Sequence, residues 1–253
     1  MIDIHCHILP GLDDGSKDID QSIEMAMQAE AQRVRSIIAT PHHANEFYRN
    51  ESDQVLRAIK RLNETLFQRN ISLHILPGQE IRVYGEILND YREGRLLTLA
   101  GSRYLLLELP TMQTPVQVLN LIDQLRKLGL VPIIAHPERN FAIFQNPKRL
   151  SELVERGALS QLTAHSIAGK RGKKLQEFCL DLCRQHLIHF IASDAHNVSN
   201  RGFTLSEAYE AVDRTLGKEY RNYYMENSEK LVEDLPIEKL MLEKPKKKFF
   251  FFH

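Results

Sequence analysis

Cysteine is scarce in this chain of 253 residues, with three in all, Cys6, Cys179 and Cys183. Three is too few for a disulfide framework and is an odd number, which points to a reducing compartment. Cys179 and Cys183 stand four apart in a helical pattern and read as half-buried helix thiols. A charge excess is also missing, because 33 Lys and Arg balance 33 Asp and Glu. That balance argues against a surface built for general nucleic-acid binding, which needs a basic excess. No apolar run approaches the roughly 18 residues of a membrane-spanning helix. No basic and apolar leader precedes the first strand, so the expected location is cytoplasmic. No G-x-G-x-x-G turn follows that strand, since Gly11 and Gly15 are wrongly spaced, and this speaks against a dinucleotide-binding sheet. Composition does not shift before the last residues. Residues 1–236 are therefore expected as one domain, with 237–253 as a tail.

What the chain does have is a regular alternation of strand and helix. Short apolar runs at 1–7, 36–40, 71–76, 104–108, 131–135, 159–163 and 188–192 read as strands. Helical spacing occupies 19–31, 52–68, 84–93, 116–128, 147–156, 173–185, 204–216 and much of 218–235. Strands that are apolar almost throughout are buried on both faces, as in parallel sheets with helices outside. The expected fold class is α/β.

The first strand, Met1-Ile2-Asp3-Ile4-His5-Cys6-His7, carries two imidazoles two residues apart. In a strand they point to one side and Cys6 to the other. Alone, such a pair is weak evidence of a metal site. Six of the seven strands, however, end in a residue able to ligate a metal. These are His5 and His7, His42, Glu80, Glu108, His136, and Asp194 with His196. The strand ending near His165 is the doubtful one. Ligands at nearly every strand end meet only if those ends form a ring, as at the C-terminal face of a parallel barrel. An acid directly after Leu105-Leu106-Leu107, or an imidazole directly after Ile133-Ile134-Ala135, is costly at the edge of buried surface unless it is paired. The first loop adds Asp14, with Asp13 as its competitor. Five His, two Glu and two Asp are too many for one ion and suit two or three. Imidazole with carboxylate and no thiolate favours Mn, Fe or Zn.

The segments Asp3-Ile4-His5-Cys6-His7, Pro41-His42, Gly78-Gln79-Glu80, Glu108, His136-Pro137-Glu138-Arg139 and Ser193-Asp194-Ala195-His196-Asn197 resemble the PHP (polymerase and histidinol phosphatase) family. Within it they are most similar to the bacterial capsule and exopolysaccharide protein-tyrosine phosphatases. The resemblance covers about residues 1–235. It implies a distorted (β/α)7 TIM-like barrel, a trinuclear site usually supplied with Mn, and hydrolysis of phosphotyrosine on a bacterial tyrosine kinase and its substrates. It also implies phosphate binding by Arg139 and Arg201.

The residues favour such chemistry in their own right. Clustered divalent ions make hydroxide from water near neutral pH and clamp phosphoryl oxygens for in-line displacement. Arg139, three residues after His136, and Arg201, five after His196, are placed to fork a phosphate dianion. The alternative thiolate mechanism needs Cys-x5-Arg, and Cys179 to Arg184 falls one residue short. Phe47, Tyr48 and Tyr84 follow ligands and are candidates to flank an aromatic ring. The run from Lys244 to Phe252, lysines then phenylalanines, reads as a disordered end or as a peripheral membrane contact. Rival readings are a small-molecule phosphatase such as a histidinol-phosphate phosphatase, an amidohydrolase-type barrel, and a metal-stabilised regulatory protein. Glu108 stands where the amidohydrolase class carries a bridging lysine.

Overall fold

Two hydrophobic periods build the elements. In α2 (Ser52–Gln68), Val55, Ile59, Leu62 and Leu66 fall three or four apart and are all buried. That is the stripe of a helix packing one face. The strands Tyr104–Glu108 and Val131–Ala135 are instead buried almost throughout, as strands covered on both sides must be.

The computed structural model describes residues 1–115, 117–238 and 240. It is an α/β fold with parallel sheets. In chain order the first half comprises β1 (Ile2–Cys6), α1 (Ile19–Ala31), β2 (Ser36–Ala39), β3 (His42–His43), α2, β4 (His74–Leu76), β5 (Glu80–Arg82), α3 (Ile87–Arg92) and β6 (Tyr104–Glu108). The second half comprises α4 (Gln117–Lys127), β7 (Val131–Ala135), α5 (Phe141–Gln145), α6 (Lys148–Glu155), β8 (Leu159–Thr163), α7 (Ala164–Ile167), α8 (Lys173–Arg184), β9 (Phe190–Ala192), α9 (Leu205–Leu216) and α10 (Lys218–Val232).

One sheet has the order β1-β2-β4 and the other β3-β5-β6-β7-β8-β9, with every pair parallel. The sheets are joined in two ways. The chain runs from β2 into β3 through Thr40-Pro41, and from β4 into β5 through 77–79. At the far edge β1 meets the end of β9, where His7 N–H donates to Ala195 O and Asp194 N–H to His5 O, each at 2.9 Å.

Two expected strands are divided. The second strand stops at Ala39, and Pro41, lacking an N–H, cannot continue the ladder. His42 therefore lies on its own two-residue strand in the other sheet, opposite Glu80. The third strand is confined to His74–Leu76, and Glu80 opens β5 rather than closing β4. The helix expected over 84–93 is limited to Ile87–Arg92. Two short helices escaped the periodicity altogether. One of them, α5, begins where the Asn140 side chain accepts the Ile143 N–H.

The core has a layer between strands and helices, including Met25, Ile37, Leu62, Ile134 and Leu162. A second layer gathers Ile4, Ile38, Leu106, Ile133 and Phe190 around Tyr104. Each such fully buried side chain contributes about 1.5–3 kcal/mol. Cys6 is fully buried and belongs to the first layer, turned away from the two imidazoles that flank it. Behind the strands, Arg103 holds Asp234 at 2.9 Å and the Tyr104 hydroxyl donates to Leu235 O at 2.6 Å. No helix among the described residues is long and apolar enough to cross a membrane. The run from Lys244 to Phe252 lies outside the described residues.

Candidate metal centre

Glu80 stands at the centre of the strand ends. Its carboxylate is buried, and Oε2 faces His5 Nε2 at 3.3 Å, His7 Nε2 at 3.2 Å and His42 Nδ1 at 3.1 Å. Its Oε1 lies 2.6 Å from His136 Nε2. Glu108 Oε2 is 3.9 Å from His42 Nδ1. Asp194 Oδ1 is 3.5 Å from the Nε2 atoms of both His5 and His7. Asp14 Oδ1 is 3.4 Å from the Nε2 atoms of both His42 and His196. All nine residues singled out from the sequence therefore meet in one cluster.

Their spacing is that of ligands. Two donors held at about 2.1 Å from one ion stand roughly 3–3.4 Å apart at tetrahedral or octahedral angles. Three groups of donor atoms lie within 4.8 Å of one another, namely His7, Asp14, His42 and His196, then His5, His7 and Glu80, then His42, Glu80 and Glu108. Four buried donors, His42 Nδ1, Glu80 Oε2, Glu108 Oε2 and His196 Nε2, have no hydrogen-bond partner among the described residues. Leaving such atoms unpaired costs about 1–3 kcal/mol each, and coordination offsets that cost. The donor set fits more than one divalent ion.

The electrostatics run the same way. Burial alone would raise the Glu80 carboxyl, yet the charges of His5, His42 and His136 hold it well below the usual range. Burial is likewise overcome at Asp194 by hydrogen bonding from His7 and the charges of His5 and Arg139. Burial would lower His7, and the adjoining Asp13 carboxylate instead raises it well above its ordinary value. Burial and then the charge of Glu80 push Glu108 up.

Second partners aim the rings. His5 Nδ1 meets Gln161 Oε1 at 2.8 Å, and His196 Nδ1 meets Asp194 O at 2.9 Å. His7 Nδ1 meets Asp13 Oδ2 at 2.7 Å. Each partner is an acceptor, so Nδ1 carries the proton and the Nε2 lone pair faces the cluster. The two aspartates of the loop are placed differently. Asp13 also accepts the N–H groups of Gly15 and His42 and is consumed in holding the loop, while Asp14 turns to the donors. The loop folds so tightly on His7 that a Cβ at Gly15 would stand 2.1 Å from His7 O. Two of the nine are held in left-handed backbone, His136 at φ 30° and Asp194 at φ 52°, a cost paid at functional sites.

Arg139 and Arg201 border the cluster. Arg139 donates to Asp194 Oδ2. Arg201 donates to Asp14 Oδ2 at 3.1 Å and lies 3.6 Å from Asp194 Oδ2. Both line a cavity of about 240 Å³ that reaches Asp194. His165, at the doubtful strand end, joins that cavity instead of the donor cluster, with Nδ1 3.2 Å from Thr204 Oγ1. Of the aromatics, Tyr48 lies parallel to His42 at 6.2 Å and Phe47 is exposed. Tyr84 is turned to Asp90 and His43. Sequence reasoning missed Gln161 and the role of Asp13. The signal for Gln161 was a polar residue inside a strand, and it is fully buried.

An α/β fold whose strand ends gather imidazoles and carboxylates at ligand spacing defines a class, that of proteins with a candidate clustered metal-binding site. The model of the family described as capsular polysaccharide synthesis, CpsB/CapC, matches residues 1–233, and the chain belongs to that family. It is 48% identical over 237 residues to the tyrosine-protein phosphatase YwqE of Bacillus subtilis, covering 94% of this chain and 93% of that one. It is 39% identical over 241 residues to a putative tyrosine-protein phosphatase, CapC, of Staphylococcus aureus, covering 94% of both. A crystal structure from the pair YwqE of B. subtilis and CpsB of Streptococcus pneumoniae, described as unique metal-dependent tyrosine phosphatases, superposes with a TM-score of 0.93 at 48% identity. It covers 94% of this chain and 97% of that one. A β-aspartyl dipeptidase of Fervidobacterium islandicum shares the fold alone, with a TM-score of 0.56 at 13% identity, covering 91% of this chain and 72% of that one.

Proposed function

We propose that the protein is a metal-dependent protein-tyrosine phosphatase that hydrolyses phosphotyrosine on a bacterial tyrosine kinase and its substrates. The observation that carries this is the buried donor cluster centred on Glu80, bordered by two arginines at one cavity. Membership of the CpsB/CapC family and the tyrosine phosphatases among its relatives supply the substrate. His5, His7, Asp14, His42, Glu80, Glu108, His136, Asp194 and His196 are the proposed ligands, for two or three ions of Mn, with Fe or Zn as substitutes. When bound, such ions supply Lewis acidity toward the phosphoryl group and lower the pKa of water to near neutral.

The protein's own residues do the rest. Arg139 and Arg201 present guanidinium forks to the phosphoryl oxygens and hold the phosphorus in line. The same arginines pair with Asp194 and Asp14, so their positions are set before substrate arrives. Gln161 and Asp13 keep two imidazoles in the tautomer that ligates. The three thiols are free and buried and take no part.

The two sheets are read as one distorted (β/α)7 barrel, in which β2 continues as β3, β4 continues as β5, and β9 returns to β1. The contacts from Asp194 and Ala195 to β1 support that reading. Residues 1–236 form the phosphatase unit in this account. It acts in the cytoplasm, where free thiols persist.

Turnover of a phosphotyrosine peptide and of histidinol phosphate, with and without added Mn, tests the proposal. Mn-dependent release of phosphate from the peptide, at a kcat/KM well above that for histidinol phosphate, is expected. The opposite preference, or full activity in chelator, would refute it.

A further inference from the structure

The cavity beside the proposed metal centre is lined by three arginines against one carboxylate, Asp194. Its lining includes Arg139, Arg171 and Arg201, together with His165 and Ser166. Arg139 and Arg201 are already paired with Asp194 and Asp14. Arg171 is not. Among the described residues it has neither an ion pair nor a hydrogen bond. It stands in a basic run, Lys170-Arg171-Gly172-Lys173-Lys174, of a chain whose charges cancel overall. The lysines of that run are engaged elsewhere. Lys170 pairs with Glu207 at 2.6 Å, Lys173 lies 3.8 Å from Glu177, and Lys174 sits over the Phe144 ring at 5.4 Å. Arg171 is thus the cation of this run left for a ligand.

The turn that carries it is held firmly. Lys170 N–H donates to His165 O at 3.0 Å and Gly172 N–H to Gly169 O at 3.1 Å. The Gln176 side chain crosses beneath, donating to Ile167 O, and a Cβ at Gly169 would stand 2.9 Å from it. Gly169 has φ +82°, a left-handed conformation suited to glycine. Beside the turn, His165 is anchored through Nδ1 to Thr204, and its Nε2 has no partner among the described residues.

We infer that Arg171, with His165 beside it, forms a second anion subsite that recognises an acidic group on the substrate chain next to the phosphotyrosine. That group is a flanking carboxylate or a second phosphotyrosine phosphate. The inference rests on the phosphatase reading above. A guanidinium fork suits either anion, and Arg171 is exposed, open to a chain that approaches the cavity. Arg171 acts on binding, so it governs specificity and does no chemistry.

The test is steady-state kinetics of wild type, Arg171→Glu and Arg171→Lys on four substrates. These are phenyl phosphate, a phosphotyrosine peptide with neutral flanks, one with acidic flanks, and one with two adjacent phosphotyrosines. Arg171→Glu is expected to lose roughly tenfold or more in kcat/KM on one or both anionic peptides, through KM, with kcat held. Phenyl phosphate and the neutral peptide should stay within about twofold, and Arg171→Lys should recover part of the loss. Loss on the acidic peptide alone identifies a carboxylate site, and loss on the doubly phosphorylated peptide alone a phosphate site. Equal losses on all four substrates, or none on either anionic peptide, would overturn the subsite alone. Failure of the wild type to hydrolyse phenyl phosphate and every peptide would refute the phosphatase reading and the subsite with it.

Discussion

Asp13 grips His7. Its Oδ2 accepts the Nδ1 proton at 2.7 Å, while Nε2 of the same ring faces Glu80 Oε2 at 3.2 Å. One carboxylate that binds no metal in this account therefore fixes a ligand that does. Asp13→Asn keeps the shape and weakens the acceptor, and metal affinity should fall by about 10–100-fold. Asp14→Asn, which removes a proposed ligand, should lower affinity at least as much. Titration of metal-free protein with Mn separates the cases. An Asp13→Asn protein with unchanged affinity would remove Asp13 from the site.

Arg139 and Arg201 should differ from the metal ligands in what they affect. In the proposed reaction each fork meets charge that develops on the transferring phosphoryl group, so Arg139→Ala and Arg201→Ala should each lose about 10²–10³ in kcat. Metal content should remain near wild type. Their lysine variants should recover little, because an ammonium cannot fork two oxygens. Loss of metal in either alanine variant would show that its main role is to hold Asp194 or Asp14.

The thiols should prove inert. Burial pushes the Cys6 thiol well above its ordinary range, and the nearby Asp3 carboxylate adds to this. Cys6→Ser should retain most activity, whereas His136→Ala should lose nearly all. Iodoacetamide should modify native protein slowly and leave turnover intact. Inactivation of Cys6→Ser with metal content unchanged would overturn the assignment.

Burial, and then the charge of Arg171, hold the His165 imidazole below its usual 6.5. The folded ring stays neutral where the unfolded chain takes up a proton. The stability tied to the neutral ring is therefore full above 6.5 and is lost as pH falls. Between about pH 8 and pH 5 the thermal midpoint of wild type should drop further than that of His165→Gln. Parallel profiles would contradict this.

Much of the candidate site was legible because its donors interrupt apolar strands. A glutamate after Leu105-Leu106-Leu107 or a histidine after Ile133-Ile134-Ala135 stands out against hydrophobic surroundings. The α/β alternation was legible for the same reason. What escaped notice depends on contacts remote in sequence. The split at Pro41 moves His42 onto a separate strand of the second sheet, and nothing local to 36–43 announces that pairing. Gln161 holds His5 across 156 positions, and within Leu159–Thr163 it only weakened the strand signal. Asp13 and Asp14 are neighbours of like chemistry, and only the folded loop says which one turns inward.

Glu80 is the hub of the proposed centre, with Oε2 within 3.3 Å of donor nitrogens on three histidines. The most direct measurement is the metal content of freshly purified protein, wild type beside Glu80→Gln, with phosphotyrosine turnover followed on the same samples. Two or three ions per wild-type chain are predicted, with a marked loss of both metal and turnover in Glu80→Gln. A wild-type protein that turns over phosphotyrosine without metal, or a Glu80→Gln protein that keeps its full metal complement, would contradict the account.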